Sequence, residues 1–273
     1  MAEVVLRSEI AANLLCADVG RPAFAARARV RFPPEGPDSE ASRLACAWIA
    51  EPAPAPPPDT STDGAEPSSL ASRLREEIGR RRAPFRVVVA DGLAPLAATG
   101  DRTVWVTAGR AVSREDVERT VLHEVEGHVM PRFRASTLAA RIFAIGTARG
   151  TDDQEGLALV FEERHGFLRG ARRRELALRQ RAIEAMDAGG SFVDVVRALI
   201  DRDGAPIASA VAAAERAFRG SAGETAGLGR ERVYLAGYAR VTERLKGRSE
   251  DEKVMASGQV AVEAVEALRE YIV

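Results

Sequence analysis

The chain has 273 residues, of which 46% are apolar, so it can bury one large core or two smaller ones. Its 39 basic and 40 acidic side chains nearly cancel, which argues against nucleic acid or an anionic membrane as the main partner. The two cysteines, Cys16 and Cys46, are too few for a disulfide framework, and reduced thiols are expected.

Targeting and membrane signals are also missing from the sequence. Charged residues interrupt the first thirty positions, which excludes the apolar stretch of a signal peptide. No apolar run is long enough to cross a bilayer. The sequence therefore predicts a soluble, cytoplasmic protein.

The first part of the chain predicts a small segment followed by a linker. Residues 1–50 contain a helical pattern near 3–16, an extended stretch over 24–32 (FAARARVRF) and a short helical pattern over 38–49. We expect this N-terminal segment to pack on the domain formed by residues 70–273. Residues 51–69 are rich in Pro, Ser and Asp, and they predict a disordered linker.

Residues 70–273 predict one domain in which a small sheet precedes a set of helices. A helical pattern over 70–82 is followed by two short β-branched runs, 85–90 and 103–107, which are typical of paired strands. From Ser113 onward the pattern is almost entirely helical. The predicted fold class is α+β with helix dominant.

Two of the three histidines lie in the stretch His123-Glu124-Val125-Glu126-Gly127-His128. Two neutral imidazoles and an adjacent carboxylate are the minimum set of a zinc hydrolase, because they supply two metal ligands and a base. The pair therefore predicts a metal site, with Glu124 beside it.

The spacing of the two histidines is one residue longer than in the common H-E-x-x-H motif. On an ideal α-helix, positions five apart differ by about 140°, too far to share one metal ion. Either a π-type turn brings them together or the helix unwinds at Gly127; we expect the π-type turn, with Gly127 lowering its strain. A capping box at Ser113 indicates where this helix begins, and Pro131 indicates that it ends near 130–132.

A catalytic zinc ion needs a third protein ligand, and no cysteine lies nearby. A capping box over 151–154 predicts the start of a second helix, which ends near His165 and Gly166. Its carboxylates are the remaining choice, and spacing alone does not decide among Asp152, Asp153, Glu155 and Glu162.

Glu155 lies in the sequence QEGLA, residues 154–158, downstream of H-E-x-x-x-H. This pair of motifs resembles the tyrosine/phenylalanine carboxypeptidase family, which includes microtubule-associated tyrosine carboxypeptidase-like and bacterial QEGLA-motif proteins. Weaker matches follow in the expected order at 216–220 (R-x-x-R-G), 233–237 (Y-L-x-G) and 257–260. The resemblance covers about residues 80–265.

The resemblance implies a zincin-like metallopeptidase domain. It implies His123, His128 and Glu155 as zinc ligands and Glu124 as the general base. The implied substrate is the C-terminus of a peptide or protein, from which Tyr or Phe is released.

Other residues are candidates for the remaining steps of hydrolysis. Tyr234 and His165 are candidate donors to the oxyanion that forms on the substrate. Arg216 and Arg219 lie one helical turn apart, and a guanidinium binds a terminal carboxylate through two hydrogen bonds. We therefore expect this arginine pair to bind the substrate.

The chain departs from the family pattern at three places. Glu126 and Gly127 replace the usual Gly-Thr between the histidines, and residues 131–134 (PRFR) replace an Asn-Gly that often follows them. Gln259 stands where a lysine is common. The ligand set is intact, so these changes concern the choice of substrate.

Three other interpretations compete with a carboxypeptidase. The chain could be a zinc endopeptidase or maturation protease that cleaves a dedicated precursor peptide. It could be a non-catalytic regulator that keeps the zinc fold, although the base Glu124 then has no purpose. It could hold a structural metal, although structural sites are closed and four-coordinate.

Overall fold

The chain forms two units, each of which has a core of its own. The helical unit comprises Met1–Pro54 and Arg169–Ala239, and the mixed unit comprises Ala55–Leu168 and Arg240–Val273. The computed structural model describes residues 15–51 and 56–272. Most of the helix predicted near 3–16 lies outside the described residues.

The described helices and strands follow one another in this order: α1 (Ala23–Arg31), α2 (Glu40–Ile49), β1 (Thr60–Ser61), α3 (Leu70–Arg80), β2 (Arg86–Ala90), β3 (Ala97–Thr99), β4 (Thr103–Thr107), β5 (Ala111–Val112), α4 (Arg114–Glu124), a π-helix (Val125–Val129), α5 (Met130–Thr137), α6 (Ile142–Ile145), α7 (Gly150–Arg164), α8 (Gly170–Asp187), α9 (Phe192–Asp201), α10 (Ile207–Ala217), α11 (Arg232–Leu245), α12 (Ser249–Met255), a 3₁₀ turn (Val262–Ala264), α13 (Val265–Leu268) and a second 3₁₀ turn (Arg269–Tyr271). Helices dominate and the strands are short, which confirms the predicted α+β class.

The core of the helical unit lies between α8, α9 and α10, where Ile183, Leu199 and Phe218 are buried. The helix predicted over 38–49 is present as α2, and it packs on α8. Cys46 lies on α2, and it and Cys16 are free and exposed.

The prediction of an extended stretch over 24–32 was wrong, because these residues form most of α1. Phe24 and Ala28, four residues apart, are buried on one face of the helix, while Arg27 and Arg29 are exposed. The alternation of apolar and basic residues resembled a strand. Alanine favours helix, and the spacing of four buries the two side chains that contact the core.

The sheet of the mixed unit has three strands in the order β2-β4-β3. β2 and β4, both predicted, pair in parallel, and β3 pairs antiparallel with the other side of β4. Val104 and Val106 of β4 are fully buried in a core that also contains Val117 and Val121 of α4 and side chains of α3. The sheet therefore supports α4, which carries the first histidine.

Part of the predicted linker is ordered. Thr60 and Ser61 form β1, which pairs antiparallel with β5. The Ser61 hydroxyl donates to Glu66 at 2.8 Å, and the Gly64 N–H donates to Ser61 Oγ at 2.8 Å. Short hydroxyl side chains thus build a defined turn in a segment without large apolar residues. The division of the chain at residues 50 and 70 remains a prediction.

No helix within residues 15–51 and 56–272 has both the length and the apolar character that a membrane span requires.

Candidate metal centre

A π-helix begins two residues after His123 and contains His128. Residues Val125–Val129 continue α4, and the Met130 N–H bonds to the carbonyl of Val125, five residues earlier. This wider turn brings positions i and i+5 onto one side of the helix. The His123 and His128 rings lie 5.2 Å apart, centroid to centroid. The predicted π-type turn is confirmed.

Gly127 allows the π-helix to approach α7 closely. A Cβ atom at this position would lie 2.5 Å from the Cβ of Ala158, far inside van der Waals contact. The glycine between the histidines and the alanine of QEGLA therefore form one packing contact. The reason for glycine here is this contact, and not only lower strain within the turn.

The prediction that the helix ends near Pro131 was wrong, because α5 continues it to Thr137. Pro131 is the second residue of α5, directly after the π-helix. Proline is tolerated in the first turn of a helix, where its missing N–H is not needed. Because the π-helix ends at Val129, Pro131 lies in the first turn of α5 although the helix as a whole continues from α4.

The helix that carries the third ligand, α7, starts at Gly150 rather than at a capping box over 151–154. Backbone carbonyls accept the first N–H groups instead: Thr147 accepts from Gly150, and Arg149 accepts from Asp152 and Asp153. Gly150 is needed because a Cβ would collide with the Gln259 carbonyl at 1.9 Å. The predicted end is confirmed, since His165 is the C-cap and Gly166 has φ +76°.

Three buried side chains converge between α4, the π-helix and α7. The ligand atoms of His123, His128 and Glu155 all lie within 4.8 Å of one another. Glu155 Oε2 is 3.3 Å from His123 Nε2 and 3.6 Å from His128 Nε2. Atoms bound at about 2.1 Å to a tetrahedral zinc ion lie about 3.4 Å apart, so this set fits such an ion.

The contacts of Glu155 and Asp153 distinguish these two among the four candidate carboxylates of α7. Glu155 joins the two histidines. Asp153 is fully buried and accepts from Arg240 Nε at 2.9 Å and from the Val262 N–H at 2.9 Å. It therefore fixes α7 against the C-terminal part of the mixed unit.

Side chains of α7 form hydrogen bonds with the Nδ1 atoms of both histidines. His123 Nδ1 lies 2.7 Å from Glu162 Oε1, and His128 Nδ1 lies 3.1 Å from Gln154 Oε1. An acceptor at Nδ1 keeps the proton there and leaves Nε2 available to a metal. Glu162 is fully buried and has this role beside the centre, one that sequence reasoning did not assign.

His123 has a strongly shifted pKa. Burial lowers it, but the hydrogen bonds to Glu155 and Glu162 outweigh burial and raise the pKa to about 9. The pocket therefore stabilises positive charge at the Nε2 side of this ring. A metal cation bound at Nε2 would take the place of that proton.

Glu124, the predicted base, is buried and follows His123 directly in the chain. The hydroxyl of Thr99, on the edge strand β3, donates to Glu124 Oε2 at 2.7 Å. One oxygen of the carboxylate is thus held by the sheet. Thr99 was not predicted, because nothing in the sequence relates it to the histidines.

Glu126 and Arg132, two departures from the family pattern, have defined partners. Glu126 forms an ion pair with Arg81 at the end of α3. Arg132 Nη1 donates to Gln154 Oε1 and to the His128 carbonyl, both at 3.3 Å. Burial lowers the pKa of Arg132, against the attraction of Glu124 and two other carboxylates. Neither residue replaces a metal ligand.

The predicted substrate-binding arginines lie in the helical unit, around the buried Glu231. Arg216 Nη1 and Arg219 Nη2 are 3.6 and 3.9 Å from Glu231 Oε1, and Arg179 Nη1 is 3.2 Å from Oε2. We call these four residues the arginine cluster. Burial, and then the neighbouring Arg179, lower the pKa of Arg216. Glu175 also forms an ion pair with Arg179, so a second carboxylate lies at the edge of the cluster.

Tyr234 and His165, the two predicted oxyanion donors, lie in different surroundings. The Tyr234 ring is half-buried between Arg179 and Arg230, whose guanidinium carbons lie 5.4 and 5.9 Å from its centroid. His165 is exposed at the end of α7, and its Nδ1 bonds to the Phe161 carbonyl at 2.9 Å. Their catalytic roles remain predictions.

A protein-family model described as "Microtubule-associated tyrosine carboxypeptidase" matches residues 7–273. The match extends the sequence resemblance toward the N-terminus and includes both units. No curated protein matches the chain significantly. The description is that of a metallocarboxypeptidase, and the buried His123, His128 and Glu155 form a group that could hold the metal ion of such an enzyme.

Proposed function

The chain belongs to the microtubule-associated tyrosine carboxypeptidase family, and from this premise we propose that it is a zinc-dependent carboxypeptidase that removes the C-terminal residue of a peptide or protein. The observation that carries the proposal is the convergence of His123, His128 and Glu155, next in the chain to the buried Glu124. Tyrosine and phenylalanine are the residues we expect it to release.

Zinc is the ion that this donor set favours. Two imidazole nitrogens and one carboxylate oxygen form the set of a catalytic zinc site, in which a fourth position stays open. Calcium and magnesium prefer sites made of oxygen alone. When bound, zinc would supply a water molecule of lowered pKa and polarise the substrate carbonyl.

The chain's own residues then supply the proton transfers. Glu124 would accept a proton from the attacking water and deliver it to the leaving amine. The Thr99 hydroxyl holds Glu124 Oε2, which leaves the other oxygen to face the substrate. Tyr234 and His165 are the proposed donors to the oxyanion. A regulator without activity would have no use for a base held in this way.

The arginine cluster is the proposed site for the terminal carboxylate. Three guanidinium groups share one Glu231 carboxylate, and Arg219 Nη2 is buried without a hydrogen-bond partner among the described residues. A substrate carboxylate would satisfy that donor. The cluster therefore supports exopeptidase activity over cleavage within a chain.

A peptide library with varied C-termini, incubated with the purified full chain and followed by mass spectrometry, tests the proposal. We expect the loss of one residue from the C-terminus, fastest for Tyr or Phe. Internal cleavage would instead favour an endopeptidase or a maturation protease. Microtubules should be included among the substrates tested, because the family description names them.

Two sets of variants accompany the library. His123→Ala should lose the bound zinc that metal analysis finds in the wild type, and equal zinc in both would exclude the centre. Arg216→Gln with Arg219→Gln should abolish release of the terminal residue while zinc remains bound. If this double variant still releases it at the wild-type rate, the carboxylate binds elsewhere.

A further inference from the structure

The orientation of one buried amide decides which nitrogen of His128 can bind metal. Gln154 is buried, and its Oε1 lies 3.1 Å from His128 Nδ1. Its Nε2 has no hydrogen-bond partner within the described part of the chain. Turning the amide by 180° exchanges oxygen and nitrogen with little change of shape, and an imidazole can donate or accept. Gln154 and His128 alone would therefore allow either tautomer.

Arg132 removes this ambiguity. A guanidinium can only donate hydrogen bonds, and Arg132 Nη1 lies 3.3 Å from Gln154 Oε1. With the amide turned over, two donors would face each other. The oxygen must therefore face Arg132, and the same oxygen then accepts from His128 Nδ1–H. His128 Nε2 is left without a proton, on the side of Glu155.

We infer that Arg132 is a positioning residue for the metal, and that it acts through Gln154 on His128. The inference rests on the proposed metal centre. Arg132 lies four residues after His128, and the same Nη1 also donates to the His128 carbonyl at 3.3 Å. The arginine is thus fixed to the helix turn that carries the ligand, and it selects the tautomer of that ligand.

The other ligand histidine needs no such residue. His123 is backed by Glu162, and both oxygens of an ionised carboxylate accept hydrogen bonds in either orientation. The two histidines are therefore held by different devices: a carboxylate for His123, and an amide whose orientation depends on a cation for His128.

Zinc affinity, measured by competition with a chelator, tests the inference. We expect Arg132→Met to weaken zinc binding about 10- to 100-fold, the range typical of residues behind metal ligands. Removing a positive charge would by itself tighten the binding of a cation, so weaker binding points to the lost hydrogen bond. Arg134→Met is the matched control, because Arg134 lies on the same helix and donates to the Ala256 carbonyl at 3.0 Å.

Gln154→Glu separates this role from simple packing. A carboxylate at residue 154 accepts from His128 whichever way it turns, so Arg132 is no longer needed. We expect Arg132→Met to change zinc affinity less than about 3-fold in the Gln154→Glu background, which a double-mutant cycle records as coupling. Circular dichroism of each variant confirms that it is folded.

Two results would overturn the inference. One is unchanged or tighter zinc binding by Arg132→Met, and the other is an equal loss of affinity in both backgrounds. Either result leaves the proposed function intact if the wild type binds zinc and releases C-terminal residues. A wild type that binds no zinc would instead overturn the proposed function itself.

Discussion

Each unit contains a group of buried charged side chains, and the two groups are built in opposite ways. In the metal centre, the Nε2 atoms of His123 and His128 and a Glu155 oxygen converge as acceptors. In the arginine cluster, three guanidinium groups lie 3.2 to 3.9 Å from the carboxylate of Glu231, and Arg179 also pairs with Glu175. The first arrangement suits a cation and the second suits an anion.

The two groups also differ in how they are supported. Each imidazole of the metal centre has an acceptor behind it, and both acceptors lie on α7, the helix that carries Glu155. The residues of the arginine cluster lie on α8, on α10, in the loop after α10 and directly before α11. One of its donors has no hydrogen-bond partner among the described residues. The candidate metal centre has a hydrogen-bond acceptor behind each histidine, whereas the cluster has a donor, Arg219 Nη2, without a partner among the described residues.

The largest expected effect is on catalysis at the metal centre. Glu124→Gln removes the base but keeps the shape of the side chain and the acceptor for Thr99. We expect hydrolysis of a C-terminal peptide bond to slow by about 10²- to 10⁴-fold, the usual contribution of a general base, with zinc content unchanged. Metal analysis and steady-state kinetics on the same sample measure both. A variant that retains full activity would remove Glu124 from the mechanism.

Removing the shared carboxylate of the arginine cluster should lower the free energy of unfolding. Glu231→Gln leaves three arginines without the carboxylate that they share, and uncompensated buried charge is unfavourable. We expect a loss of about 3 kcal/mol in the free energy of unfolding, measured with urea. Glu215→Gln, an exposed position on α10, should change it by less than about 0.5 kcal/mol. If both variants are equally stable, the charges around Glu231 do not depend on it.

The close packing of the metal centre gives the third prediction. Gly127→Ala places a methyl group where the Cβ of Ala158 is 2.5 Å away. We expect a loss of about 1–3 kcal/mol in stability from overpacking, together with weaker zinc binding as the π-helix moves from α7. Ala158→Gly in the same chain should restore part of both losses, because it removes the opposing methyl group. No recovery would mean that Gly127 is needed for its backbone alone.

The same contrast explains what the sequence could predict. The metal centre is local: His123, Glu124 and His128 lie on one continuous helix, and the extra residue between the histidines correctly indicated a π-turn. Spacing left four carboxylates open, and only the resemblance selected Glu155. Glu162, one heptad after Glu155, could have been recognised as a partner of His123 because it faces the same way.

Other features depended on tertiary contacts that no local pattern contains. Pro131 predicts a helix end by itself, but it lies directly after a π-helix, where its missing N–H is harmless. Thr99 reaches Glu124 only because β3 forms the edge of the sheet. The α1 helix was missed because alternating apolar and basic residues resemble a strand, whereas the buried pair is four residues apart.

The smallest expected effect concerns this contact between sheet and base. Thr99→Val keeps the size of the side chain but removes the hydroxyl that donates to Glu124 Oε2. A hydrogen bond to a charged group contributes about 1.5–3 kcal/mol, and only the part that orients the carboxylate affects the rate. We therefore expect about a 10-fold lower kcat, with KM and zinc content little changed. Thr107→Val is the matched control, because the Thr107 hydroxyl donates to the Leu93 carbonyl and not to Glu124. Equal kcat in Thr99→Val and the wild type would show that Glu124 is oriented without the sheet, so the metal centre would then depend on its helices alone.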